Sequence, residues 1–126
     1  FRGLGFVLLV KIVRGPWPLL ALPQALLFGM VHWLGFGGFD GGGIALFVGA
    51  VIAVGGFIFA WLDHLDGNTL WCGLVLHVSM NLAWNVFSLD DALALGWQAT
   101  SLRIGTALLA VAVLAWHVRL RRQRDL

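Results

Sequence analysis

Apolar positions in this chain run on for ten to twenty residues at a time, and each run is closed by a short polar, proline or glycine-rich stretch. Strand-like alternation is absent, so helices are the economical reading. Five helical stretches follow, at 4–13, 17–34, 44–62, 69–87 and 102–118. About 20 apolar residues of helix cross the ~30 Å hydrocarbon layer of a membrane, and a helix satisfies its own backbone there. The first stretch is too short to span alone and reads as the end of a helix. The other four are predicted to be complete spans. The expected fold is therefore all-α: a polytopic transmembrane helix bundle of four complete spans plus the end of an N-terminal helix. Residues 1–126 form one membrane domain, with no separate soluble domain.

The connections carry their own signals. Lys11, Arg14, Gly15 and Pro16 make a basic turn, and Pro18 and Pro23 lie early in the next span, where a missing N–H is tolerated. Residues 35–43 read as a flexible glycine-rich link, and 63–68 as a polar turn with Asn68 or Thr69 capping the next helix. A further link holds Asp90, Asp91, Gln98 and Thr100. Small residues repeat at helical spacing on two spans, Ala21, Ala25 and Gly29 on one and Ala45, Gly49, Ala53 and Gly56 on the other. Such stripes let helices approach closely.

Composition agrees with lipid as the solvent. Hydrophobic residues make up 60% of the chain and charged residues 11%, whereas a soluble domain carries about a quarter charged. Mean hydropathy is +0.92. With four crossings after Gly15, Lys11, Arg14, Arg119, Arg121, Arg122 and Arg124 share one side; the other holds Arg103, read as a helix-boundary residue. The positive-inside rule makes the basic side and the C-terminus cytoplasmic, in a multi-pass protein of a bacterial inner membrane. The arginine tail suits anionic lipid and is too short for a nucleic-acid surface. The lone Cys72 excludes an internal disulfide and reads as a packing residue. Several of the seven tryptophans suit interfacial belts.

Ionisable groups deep in a membrane are costly and are functional candidates by default. His32 and His77 qualify. His32 follows Gly29 and Ala25 by three and seven residues, on the small-residue face, and should point into the bundle. His77 opens a polar stripe continued by Asn81, Asn85 and Ser88. Imidazole can ligate a metal, move a proton or stabilise developing negative charge. Polar glue between helices is the plainer role for either histidine alone; two together with an asparagine stripe favour a site. Counted along straight helices at ~1.5 Å per residue, the two rings differ by about 12 Å in depth.

Short motifs then give a resemblance. Phe28-Gly29-Met30-Val31-His32, followed by His77-Val78-Ser79-Met80-Asn81, resembles the second and third ordered motifs of the CPBP family of membrane proteins, which includes the CAAX prenyl endopeptidases and the bacterial Abi-type proteins. Gly67-Asn68-Thr69-Leu70-Trp71 is similar to the turn before the third motif, and Phe1-Arg2-Gly3 to the end of the first, Glu-Glu-x-x-x-Arg. The match reaches to about Phe87; the last span and tail carry no motif. The resemblance implies that Arg2 is the motif arginine and that two glutamates stand five and four positions before it, ahead of Phe1. It implies a glutamate acting as general base on water, His32 and His77 positioning that water or binding a divalent metal such as zinc, and Asn81 donating to the oxyanion. The segment without its glutamates is expected to be inactive.

The leading expectation is thus an intramembrane endopeptidase acting on a peptide or protein substrate near the cytoplasmic face. A non-catalytic membrane protein of the same fold, such as a bacteriocin self-immunity factor, is the second. A proton- or ion-conducting bundle comes last, because residues 44–62 offer no polar side chain. The run Gly37-Gly38-Phe39-Asp40-Gly41-Gly42-Gly43 lacks the Lys-Ser/Thr of a phosphate loop. Asp63, Asp66 and Asn68 have the wrong spacing for a calcium loop. His64 reads as solvated, and His117 as a headgroup-level residue.

Overall fold

The computed structural model describes residues 2–13, 15–87 and 96–124, without the side chains of 2–4 and 84–87. Among them all regular structure is helical: α1 (Arg2–Ile12), α2 (Trp17–Gly35), α3 (Gly42–Leu65), α4 (Trp71–Phe87) and α5 (Trp97–Arg124). Three of the four expected spans, α2, α3 and α5, are long and apolar enough to cross a membrane. The fourth, α4, is a shorter apolar helix of 17 residues. Arg14, Ser88, Asp90 and Asp91 lie outside the described residues, as do the side chains of Arg2 and Asn85.

Helix α3 is the hub, packing against α1, α2, α4 and α5. The α2–α3 pair is the tightest, and the two small-residue stripes are the reason. A Cβ added to Gly29 would stand 2.5 Å from the Gly49 carbonyl oxygen and 2.7 Å from the Ala53 Cβ. One added to Gly49 would stand 2.8 Å from the Trp33 Cβ, and Gly56 faces Ala25 and Phe28 in the same way. The helices run antiparallel, with backbone close to backbone. Gln24, buried between them, donates its side-chain amide to the Gly56 carbonyl at 3.4 Å.

Two apolar clusters flank this pair. At one, Phe6 and Val7 of α1 are buried against Leu20, Ala21 and Ala60. At the other, Ala107 and Val111 of α5 meet Ile58, Phe59 and Leu62, with Cys72, Leu76 and Met80 of α4 alongside. Cys72 is thus a packing residue, as expected. The outward faces are apolar instead: Leu19, Leu26, Val31, Ile44, Leu46, Val75, Leu102, Leu109 and Val113 are all exposed. That pattern is the mark of a lipid-facing surface. Trp71 and Trp97 are exposed at the first positions of their helices, the position of interfacial anchors. Trp17 is not such an anchor; its ring packs 5.5 Å from Phe57 and 5.9 Å from Trp61.

The connections are more ordered than glycine content suggests. Gly37, with φ +97°, follows the end of α2. Its N–H meets the Leu34 carbonyl at 3.1 Å, and that of Gly38 meets the Trp33 carbonyl at 2.9 Å. This is the paired closure of a Schellman motif, in which glycine takes the left-handed position. The link 36–41 is therefore a hydrogen-bonded turn rather than a flexible tether.

At the other end, α3 runs on through Asp63 and His64, which belong to its last turn. Asp63 is 1% exposed. Its carboxylate accepts from the Gly73 N–H at 2.8 Å and so caps α4 from the neighbouring helix. Thr69, as anticipated, also caps α4, its hydroxyl accepting weakly from the Trp71 N–H at 3.4 Å while donating to Asp66. Asn68 does not cap: it sits at φ 60° and accepts from His64 Nδ1 at 3.0 Å. His64 itself is half-buried and stacks on Trp17 at 5.1 Å, so it ties α2 to α3 instead of standing in solvent.

Candidate functional site

Residues of α2, α3, α4 and α5 line a cavity of about 470 Å³. His32 of α2, His77 and Asn81 of α4 and Arg103 of α5 line it, within walls that include Phe28, Ile52, Ile58, Phe59, Met80 and Ile104. The two histidines singled out in the sequence therefore open on one space, although they come from helices separated by α3. Both are half-buried; Asn81 is exposed.

The small-residue face of α2 places His32. Gly29, one turn earlier, lies against α3, and the same face carries His32 past α3 towards the cavity. The His32 Nδ1 is 2.9 Å from the Phe28 carbonyl oxygen. A carbonyl only accepts, so Nδ1 carries the hydrogen and the neutral ring keeps its lone pair on Nε2. That nitrogen can accept a proton, or a hydrogen bond from water.

His77 is held differently. Its Nε2 is 3.2 Å from the Asn81 side-chain nitrogen, one turn further along α4. The amide donates, so Nε2 is the accepting nitrogen in that contact. Phe59 of α3 meets the ring edge-on at 5.5 Å. Phe28 touches both imidazoles, with ring centroids 4.6 Å from His32 and 6.4 Å from His77. The first residue of Phe28-Gly29-Met30-Val31-His32 is thus the apolar contact that joins the two halves of the site.

Arg103 is the residue that sequence reasoning misplaced. It is not at a helix boundary, because α5 begins at Trp97, more than a turn earlier than expected, and takes in Gln98 and Thr100. Arg103 therefore stands about 9 Å from the start of the helix, at ~1.5 Å per residue. The signal that would have found it is an arginine followed by Ala107 and Val111 on one apolar face, with no break between.

A zinc ion takes three protein ligands in a catalytic site and four in a structural one. His32 and His77 offer two, and the described residues contain no group of three His, Cys, Asp or Glu side chains that could hold a metal. The donor set among the described residues does not complete a zinc site. Arg2 opens α1, which packs on α2 and α3.

Fold and cavity together define a class: an all-α chain with three helices long and apolar enough to span a membrane, and between its helices a largely apolar cavity that holds two histidines, an asparagine and an arginine. No family model, curated protein or solved structure matches the chain.

Proposed function

We propose that this chain belongs to an intramembrane endopeptidase of the CAAX type, in a bundle where α4 also crosses the membrane and the basic C-terminus is cytoplasmic. The observation that supports this reading is the cavity shared by His32, His77 and Asn81. Peptide hydrolysis within a membrane needs a wet, polar space shielded from lipid, and imidazoles from two helices supply its proton-handling groups. In this reading the His32 Nε2 lone pair orients the attacking water. Asn81 fixes the His77 ring; an amide nitrogen has two N–H bonds, so it can hold that ring and also donate to the oxyanion of the tetrahedral intermediate. The general base is the glutamate that the resemblance places ahead of Phe1.

One feature favours a second reading, a non-catalytic membrane protein of the same fold. None of the described residues lining the cavity is Asp or Glu, so the described site holds no carboxylate base. The deciding experiment uses the protein extended upstream of Phe1, reconstituted in liposomes with membrane-tethered peptides and read by mass spectrometry. Cleavage that drops by roughly 10²-fold or more in His32→Ala and His77→Ala is expected. An extended protein that holds the paired glutamates and cuts none of the peptides would leave the non-catalytic reading in place.

A further inference from the structure

We infer that a groove between α4 and α5 binds one anionic phospholipid, with an acyl chain along the groove and the phosphate held by Arg121 and Arg124. The groove has a volume of about 690 Å³ and shares no lining residue with the histidine cavity. The site is therefore independent of any hydrolytic role. Its walls come from α4 between positions 71 and 79 and from α5 between 106 and 117. Val75, Leu109 and Val113 are exposed there, so the described chain leaves the groove uncovered.

Length, polarity and charge together choose the occupant. Along α5 the groove runs from Thr106 to His117, about 16 Å at ~1.5 Å per residue. That is close to one leaflet, half of the ~30 Å hydrocarbon layer. A single lipid tail reaches from the headgroups to the midplane, whereas a further spanning helix needs a seam across the whole layer. The wall is mostly Leu, Val and Ala. At its deep end the Thr106 hydroxyl is turned back onto the Leu102 carbonyl of its own helix, at 2.8 Å.

The charge lies at the other end. Residues three and four apart share a helix face, and the steps from Ala110 through Val113 and His117 lead on to Arg121 and Arg124. Arg119 and Arg122 fall on other faces of α5. The groove face thus carries two guanidiniums just beyond its mouth, and none of the described residues lining it is Asp or Glu. Asp66 stands beside Cys72 on the α4 side and is bonded to Thr69, which leaves the α5 side to an anion. A guanidinium fork matches phosphate oxygens in pairs, and basic pockets at the ends of transmembrane helices suit acidic headgroups.

The purified chain is titrated in detergent with dioleoyl phosphatidylglycerol and with dioleoyl phosphatidylcholine, and bound lipids are counted by native mass spectrometry. The first phosphatidylglycerol is expected to bind tighter than phosphatidylcholine by about tenfold or more. Arg121→Gln with Arg124→Gln removes that preference, whereas Arg119→Gln with Arg122→Gln, an equal loss of charge, retains it. Val113→Trp, which puts an indole into the groove at an exposed position, weakens binding of the same lipid. Helical circular dichroism checks that each variant is folded. Equal affinity for the two lipids, equal losses in the two double variants, or binding untouched by Val113→Trp overturns the assignment. A lipid-free dimer dispersed by Val113→Trp would give the groove to a second copy of the chain and overturn it as well.

Discussion

Asp63 shows how much a single residue can do here. Its carboxylate is buried at the end of α3, yet its partner is the Gly73 N–H, ten residues on and in the first turn of α4. The first N–H groups of a helix have no partner within it, and a carboxylate there also meets the positive end of the helix dipole. Gly73 is part of the arrangement, because a Cβ on it would stand 2.5 Å from Asp63 Oδ1. Asp63→Ala is expected to destabilise the fold by about 1–3 kcal/mol, since it removes the cap and leaves a buried donor without its acceptor. Gly73→Ala should lower stability through the same contact. Combining the two should cost less than the sum of the single effects, because the methyl group no longer meets a carboxylate. Thermal unfolding in detergent measures all three, and strictly additive losses would mean that Asp63 and Gly73 do not act as a pair.

At the scale of helices, the α2–α3 contact carries the bundle. Backbones can come this close because glycine or alanine stands at each crossing point, and lipid provides no hydrophobic drive to compensate for poor packing. Gly29→Ala and Gly49→Ala each insert a methyl group into backbone or Cβ atoms less than 3 Å away, and each is expected to cost about 1–3 kcal/mol. Gly43→Ala is the control: no atom lies within 4 Å of its added Cβ, so its unfolding temperature should stay level or rise slightly. A Gly29→Ala protein as stable as that control would remove the close crossing as a source of stability.

The same contact explains what was legible in the sequence. Ala25, Gly29, Gly49 and Gly56 announce a packing face through spacing alone, and that face in turn aims His32 at the interior. The turn Asp66-Gly67-Asn68 was readable as a break, but the pairing of His64 with Asn68 and Trp17 was not. A side chain at a helix end can point to solvent or back over a neighbouring helix, and only the packed bundle decides. Asp63 and Arg103 were illegible for a related reason. Each looked like the boundary of an apolar run, and each lies inside a helix: α3 runs on past Asp63, whose carboxylate caps α4, and α5 starts before Arg103.

For the molecule as a whole, the open structural matter is the path of α4 through the membrane. Its 17 residues give about 25 Å of helix at ~1.5 Å per residue, a little less than the ~30 Å hydrocarbon layer. A short helix is accommodated by local thinning of the bilayer or by anchoring side chains at its ends, and exposed Trp71 stands at one end of α4. His77 and Asn81 of α4 also line the cavity, which gives these two polar side chains a setting other than lipid. These arguments favour a crossing, and the crossing fixes where the chain's loops lie. Between the 36–41 turn and the arginine tail stand α3, α4 and α5. Three crossings put the turn and the tail on opposite sides, whereas two would put them on the same side. In a Cys72→Ser background, which removes the chain's only thiol, Asp40→Cys should react with a membrane-impermeant maleimide only from outside the cell. Gln123→Cys should react only after the cytoplasmic face is opened. Labelling of both from one side would make α4 a re-entrant or surface helix. It would also withdraw His77 from a site between spanning helices, and the hydrolytic reading would lose the space on which it depends.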